Sequence, residues 1–239
     1  MSNNTVVSDV CRSQPDRALV KATGIKKRFG AQVVVSNVTL SCHAGEVVLI
    51  LGANGAGKST LLRIIAGLTR ADYGDISIPE GVRVGFSGHQ TGLYSKLSLK
   101  TNLSLYASLA GVSQVQLQEL LRHWRLEELE NKAVEEISRG AQSKASIIRA
   151  LMASPQILLL DEPSSNLDEA ATEQLRVVLS QHAALGRVAL VATHDIARLG
   201  SSATRAIVME QGAIIADSGS RAARGALESV VQQYRTTNR

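Results

Sequence analysis

The stretch Val47-Val48-Leu49-Ile50-Leu51-Gly52-Ala53-Asn54-Gly55-Ala56-Gly57-Lys58-Ser59-Thr60 decides how this chain is read. The apolar run from Val47 to Leu51, bounded by Glu46 and Gly52, predicts a short strand buried on both faces. Gly52 to Ser59 then fits the phosphate-binding loop pattern at every fixed position, with Thr60 following. The composition has a physical reason. Glycines adopt backbone conformations closed to other residues and bring amide N–H groups close to phosphate oxygens. The loop opens into a helical pattern, Ser59 to Leu68, whose N-terminal dipole favours the same anion. Lys58 is placed to reach β- and γ-phosphates, and the Ser59 hydroxyl to ligate magnesium. A Gly-rich turn without a ligand would need neither the strand before it nor the helix after it.

Further along, Ile157 to Leu160 forms another apolar run, ending in Asp161 and Glu162. Ligands of parallel α/β sheets bind beyond the carboxyl ends of the strands. Asp161 is therefore expected to hold magnesium, and Glu162 to orient or deprotonate an attacking water. Alone, two acids at a strand end would read as ordinary solubility; the phosphate loop upstream gives them a role. Arg187 to Thr193 is a third buried run. Ala18–Ile25, Gln32–Cys42 and Val82–Phe86 also read as strands, and Ala206–Met209 with Ala213–Ala216 as a terminal pair around Gln211-Gly212.

From about residue 92 to 152 the pattern changes. Leu97, Leu99, Leu103, Leu105 and Leu109, then Leu117, Leu120 and Leu121, suit helices, and strand signals are scarce. This segment reads as a mostly helical insertion. Strands alternating with helices on either side of it predict an α/β fold, a three-layer core around a parallel sheet. The expected organisation is a flexible leader at 1–17, one domain at 18–219 with a helical subdomain at about 92–152, and a tail at 220–239. In the tail, Leu227, Val230 and Val231 lie among Arg221, Arg224 and Arg235, which suits an amphipathic helix or a solvated one equally.

Bulk properties narrow the class. The 239 residues are enough to bury a full core. With aromatics at 3%, including a single Trp124 and only Phe29 and Phe86, that core must be aliphatic. The net charge of +5 would help attract an anionic partner but reads mainly as solvated surface. Cys11 and Cys42 show neither metal-ligand spacing nor a disulfide framework, which suits a reducing, cytosolic compartment. No apolar run approaches the roughly 18 residues of a membrane span. The polar start is unlike a secretory signal, so a membrane role is expected to come through a partner.

The order of motifs resembles the ATP-binding-cassette family over roughly Val20 to Gly219. Phosphate loop, helical insertion, Ile137-Ser138-Arg139-Gly140-Ala141, Asp161-Glu162-Pro163, Asn166-Leu167-Asp168 and Thr193-His194-Asp195 follow one another as they do in that family. The resemblance implies a P-loop NTPase core with an antiparallel β subdomain and an inserted helical subdomain, using ATP and magnesium. It implies catalytic roles for Glu162, His194 and Lys58, with His194 as the switch histidine that contacts the γ-phosphate. Gly52, Ala53, Asn54, Gly55, Ala56, Gly57, Lys58, Ser59 and Thr60 would cradle the nucleotide, and Ser59 and Asp161 would hold the metal. Ser138 and Gly140 would bind the γ-phosphate held by a second copy, and Asp168 would belong to the loop linking the two sites. Arg139 stands where the family has a glycine and Ala141 where it has a glutamine, which puts signature geometry and hydrolysis rate in question. Phe29 matches the aromatic that stacks on adenine, with core packing as the other reading. His89 stands where the family usually carries a glutamine and Gln90 comes next; either could reach magnesium.

The resemblance also implies a homodimer that powers separate integral membrane subunits from the inner face of the cell membrane, as a peripheral cytoplasmic ATPase. Gly88-His89-Gln90-Thr91-Gly92-Leu93-Tyr94, with Leu97 and Asn102-Leu103, resembles the haem-exporter ATPases of cytochrome c maturation. Other classes fit less well. A soluble kinase would lack Ser138–Gly140 and the histidine after the strand. A GTPase would want an acid where Asn131-Lys132-Ala133-Val134 has none. A cassette acting on nucleic acid or ribosomes would carry a long arm or a second cassette, and no basic stripe with aromatics is present, so no nucleic acid is expected. A cassette that binds ATP but hydrolyses it weakly remains the reading that Arg139, Ala141 and His89 would favour.

Overall fold

In a computed structural model describing residues 18–220 and 224–237, the three apolar runs lie side by side at the centre of one sheet. They are β3 (Val47–Leu51), β6 (Ile157–Asp161) and β7 (Val188–Thr193), and every residue in them is buried. The sheet has six strands in the order β5-β6-β7-β3-β8-β9, where β5 is Val84–Ser87, β8 is Arg205–Glu210 and β9 is Ala213–Asp217. All neighbours pair in parallel except β8 and β9, which turn back at Gln211-Gly212. Alternate residues serve two cores. Leu49, Leu51, Leu158, Leu160 and Val191 face one, and Val48, Ile50, Leu159 and Leu190 face the other. That two-sided burial is why these strands read as unbroken apolar runs.

The second core is closed by α1 (Lys58–Ile65), through Leu61, Leu62, Ile64 and Ile65, and by a separate antiparallel sheet. This smaller sheet runs β2-β1-β4, with β1 at Ala18–Phe29, β2 at Gln32–His43 and β4 at Tyr73–Ser77. The sequence gives no warning of β4, because its residues are mostly exposed and show no alternation. α/β layering, the antiparallel subdomain and a helical insertion are thus all present.

The first core is covered by α2 (Leu99–Ala110), α3 (Gln114–His123), α4 (Arg139–Met152) and α5 (Glu169–Ala184). Their ends are set locally. Ser98, Ser113, Ser138 and Asp168 each accept a backbone N–H as N-caps, and Gly111 takes φ 69° to close α2. Beyond β7, α6 (Ile196–Leu199) is a single turn. Residues 224–237 form α7, which lies on β8 with Val230 and Tyr234 buried in the first core. Residues 224–237 are therefore a docked helix, not a solvated one, although the Arg224 and Arg235 side chains and Arg221 lie outside what is described. The expected leader, 1–17 with Cys11, also lies outside the described residues.

Candidate active site

The phosphate loop leaves the carboxyl end of β3 and enters α1, and Asp161-Glu162 and His194 stand at the carboxyl ends of the parallel strands β6 and β7, so these segments meet on one side of the sheet. Gly57 takes φ 99°, and a Cβ there would stand 2.4 Å from the Val34 carbonyl oxygen. Only glycine lets the loop lie this close to β2. A Cβ at Gly52 would meet the Met209 carbonyl at 2.4 Å, so β8 presses on the loop from the other side.

Lys58 is almost fully buried and folds back over its own loop. Its ammonium donates to the carbonyls of Gly52 at 2.6 Å and Ala53 at 3.2 Å, and lies 3.7 Å from Glu162 Oε1. The next residue, Ser59, donates from its hydroxyl to Asp161 Oδ1 at 2.9 Å. Burial raises the Asp161 pKa above the ordinary carboxylate range. The Ser59 hydrogen bond opposes that shift, neighbouring Glu162 adds to it, and Lys58 and His89 oppose it.

Glu162 holds φ 51°, a left-handed conformation that is strained for a residue with a side chain. The turn sends its carboxylate back over the loop. His194, just past β7, approaches Glu162 Oε2 through Nδ1 at 2.9 Å. The other oxygen, Oε1, is buried and makes no hydrogen bond among the described residues. A buried carboxylate oxygen without a donor is costly. It marks the spot where a water or ligand group belongs.

These groups surround a cleft of about 370 Å³ lined by residues 54–60, Val34, His89, Asp161, Glu162, Ser165 and His194. The donor set fits a magnesium–triphosphate. It offers a glycine-bound cradle, one ammonium, a hydroxyl and carboxylate already in contact, and a carboxylate with one oxygen that makes no hydrogen bond among the described residues. Of the two residues considered for the metal side, His89 lines the cleft and Gln90 does not. Phe29 is 54% exposed at the end of β1, with the Lys27 ammonium 5.3 Å from its ring centre, so the core-packing reading fails. Ser138, Gly140 and Asp168 do not line this cleft. Ser138 caps α4, Asp168 caps α5, and a Cβ on Gly140 would stand 2.8 Å from the Asn166 carbonyl.

Several supporting residues escape a sequence reading. Arg198 donates to the carbonyls of Ser164 and Leu167, bracing the segment after Glu162. The Tyr234 hydroxyl, from α7, donates to the His194 carbonyl at 3.4 Å. No spacing rule points to either, since both act on backbone far away in sequence.

A parallel sheet with this loop after β3, paired acids after β6 and helices inserted after β5 defines a phosphate-loop nucleotide-binding domain. The chain belongs to the ABC transporter family, whose model matches residues 35–165, more than half of its length. It is 35% identical over 213 residues to the maltose/maltodextrin import ATP-binding protein MalK of Escherichia coli O6:K15:H31, covering 82% of this chain and 57% of that one. MalK of Salmonella typhimurium is 36% identical over 214 residues, with the same coverage. The chain thus spans little more than half the length of the curated relatives it matches. Among solved structures, the dimeric post-hydrolysis state of the cassette MJ0796 with ADP and Pi superposes with a TM-score of 0.75 at 26% identity, covering 83% of this chain and 97% of that one. The ADP conformation of the cassette MJ1267 shares the fold, with a TM-score of 0.73 at 23% identity, covering 93% and 98%. Among the described residues no helix is long and apolar enough to cross a membrane.

Proposed function

We propose that this chain is an ATPase subunit that dimerises around two ATP–magnesium complexes and drives a separate membrane transporter. The observation that carries the reading is Glu162, held by His194 on one oxygen and left open on the other, directly beside Lys58 and the Ser59–Asp161 pair.

In this reading the amides of residues 54–59 and the α1 dipole bind the triphosphate. Lys58 exchanges its carbonyl partners for phosphate oxygens, which neutralises charge as the terminal phosphoryl leaves. Ser59 and Asp161 are the residues that would hold magnesium, which when bound neutralises the β- and γ-oxygens. Glu162 orients the attacking water and takes its proton, and His194 fixes the Glu162 carboxylate by its hydrogen bond. Most of the acceleration comes from positioning, because this transfer leaves little covalent work for the protein.

Ser138, Gly140 and Asp168 lie outside the chain's own cleft, which suits action on nucleotide held by a second copy. The dimeric MJ0796 cassette supports this arrangement. The domain division at 18–219, with helices 92–152 passing motion to the membrane subunits and α7 closing the end, belongs to the same proposal, as does a place on the inner face of the cell membrane. For cargo, Gly88–Tyr94 is the single stretch that favours a haem or other small-molecule exporter. The MalK relatives are import ATP-binding proteins; in this reading direction and cargo are decided by the membrane subunits. The interval from Lys58 to Asp161 holds no helix longer than the 14 residues of α4, which counts against a chromosome- or ribosome-type arm.

Two measurements test this. Lys58→Ala should weaken ATP binding at least about tenfold, the loss of roughly one charge-assisted contact; unchanged affinity would refute the cradle. Affinity purification from native membranes should bring down an integral membrane chain. Recovery of ribosomes or repair factors instead would refute the transport reading.

A further inference from the structure

Between β5 and α2 the chain passes through Gly88, His89, Gln90, Thr91 and Gly92, and this loop carries His89 into the cleft near Asp161. Side chains of the helical insertion grip its backbone at both ends. Arg149, on α4, donates from Nη2 to the Phe86 carbonyl at 2.9 Å and from Nε to the Thr91 carbonyl at 3.2 Å. Ser146, one turn earlier, donates to the same Thr91 oxygen at 3.1 Å, and its hydroxyl also meets that of Ser87 at 2.8 Å. Tyr106, on α2, donates to the Gly92 carbonyl at 2.5 Å. Its ring faces the Arg149 guanidinium, 5.2 Å from Cζ to ring centre.

Arg149 is half-buried, and no carboxylate pairs with it among the described residues. Burial accordingly lowers its pKa. A half-buried cation without a carboxylate partner carries a desolvation cost. Two carbonyls and an aromatic face recover part of that cost, and they do so at a fixed spacing because the guanidinium is a rigid planar fork. The fork spans the loop, from Phe86 before His89 to Thr91 after it. Gly92 also fits closely, since a Cβ there would stand 3.2 Å from Arg149 Cζ.

We infer that Arg149 and Tyr106 are positioning residues, which pin both ends of the 86–92 loop and thereby hold His89 at the magnesium end of the site. The inference rests on the nucleotide reading above. Neither residue lines the cleft. They act through backbone carbonyls, and the link runs both ways: what fixes His89 for magnesium must itself be ordered further when magnesium arrives.

The test is amide hydrogen exchange of the full chain with ATP and EDTA, compared with ATP and magnesium. In the parent, magnesium should slow exchange at residues 88–92 by about fivefold or more, the lower range of ordinary coupling between sites. Tyr106→Phe removes one hydroxyl and keeps the ring, and Arg149→Lys keeps the charge and loses the fork. Both should lose most of that magnesium-dependent slowing, while protection of residues 52–59 by ATP stays as in the parent. Tyr106→Phe with the full parental effect would overturn the assignment, as would a parent whose 88–92 amides ignore magnesium. ATP turnover by the parent is measured separately. Its absence would sink the hydrolysis reading and leave the exchange result standing.

Discussion

His182 gives the sharpest quantitative prediction. It lies on α5, only 4% exposed, with Nε2 3.2 Å from the Val188 carbonyl. Burial, aided by the nearby Arg187 charge and opposed by backbone hydrogen bonds at Val188 and Gln156, lowers its pKa from 6.5 to about 4. The folded protein therefore keeps the imidazole neutral while the unfolded chain accepts a proton more readily. The sign follows: the fold is fully stable with respect to this group above the unfolded value and loses stability as pH falls from about 6.5 towards 4. Fully expressed, the gap from 6.5 to about 4 is worth about 3 kcal/mol, and at pH 5 it amounts to about 2 kcal/mol. For a chain of this size that is about 4–8 °C in Tm. Thermal unfolding of the parent and of His182→Gln at pH 7 and pH 5 isolates the effect, because other titrating groups cancel in the comparison. The parent should lose that much more Tm on acidification than the variant. Parallel curves for the two proteins would refute the buried, neutral histidine.

The loop geometry separates two glycines that look alike in sequence. Gly57→Ala and Gly55→Ala share a strained positive φ, which costs roughly 1–2 kcal/mol. Only the Gly57 Cβ would also strike backbone, at Val34, whereas nothing stands within 4 Å of one at Gly55. Calorimetric titration with ATP should show Gly57→Ala binding at least about tenfold more weakly than Gly55→Ala, and equal losses would contradict the close approach of loop and β2. Cys42 is fully buried, and burial pushes its thiol up to about 12. Alkylation at pH 8, mapped by peptide mass, should leave Cys42 unlabelled in the native protein and labelled after denaturation; rapid native labelling would be the contrary result.

What could be read in advance divides along physical lines. β3, β6 and β7 are legible because burial on both faces fills them with Val, Leu, Ile and Ala up to the polar Asp161 and Thr193 that end β6 and β7. Lys58, Ser59, Asp161, Glu162 and His194 are legible as types at strand ends, and the structure brings all five to one cleft. β4 is not, since its exposed residues carry no periodic signal. The docking of α7 escaped because burial of Val230 and Tyr234 depends on β8 and a core built from distant sequence. His89 and Gln90 are neighbours, and only the course of the loop pinned by Arg149 and Tyr106 shows which one lines the cleft. The Arg198 and Arg149 contacts go to backbone carbonyls, which have no letter in a sequence.

Single-turnover hydrolysis of radiolabelled ATP by Glu162→Gln tests the central claim most directly. With the positioned base removed, the rate should fall by about a hundredfold or more while ATP stays bound with parental affinity, because Lys58, Ser59 and Asp161 still grip it. A variant that hydrolyses within about twofold of the parent would contradict the role assigned to Glu162.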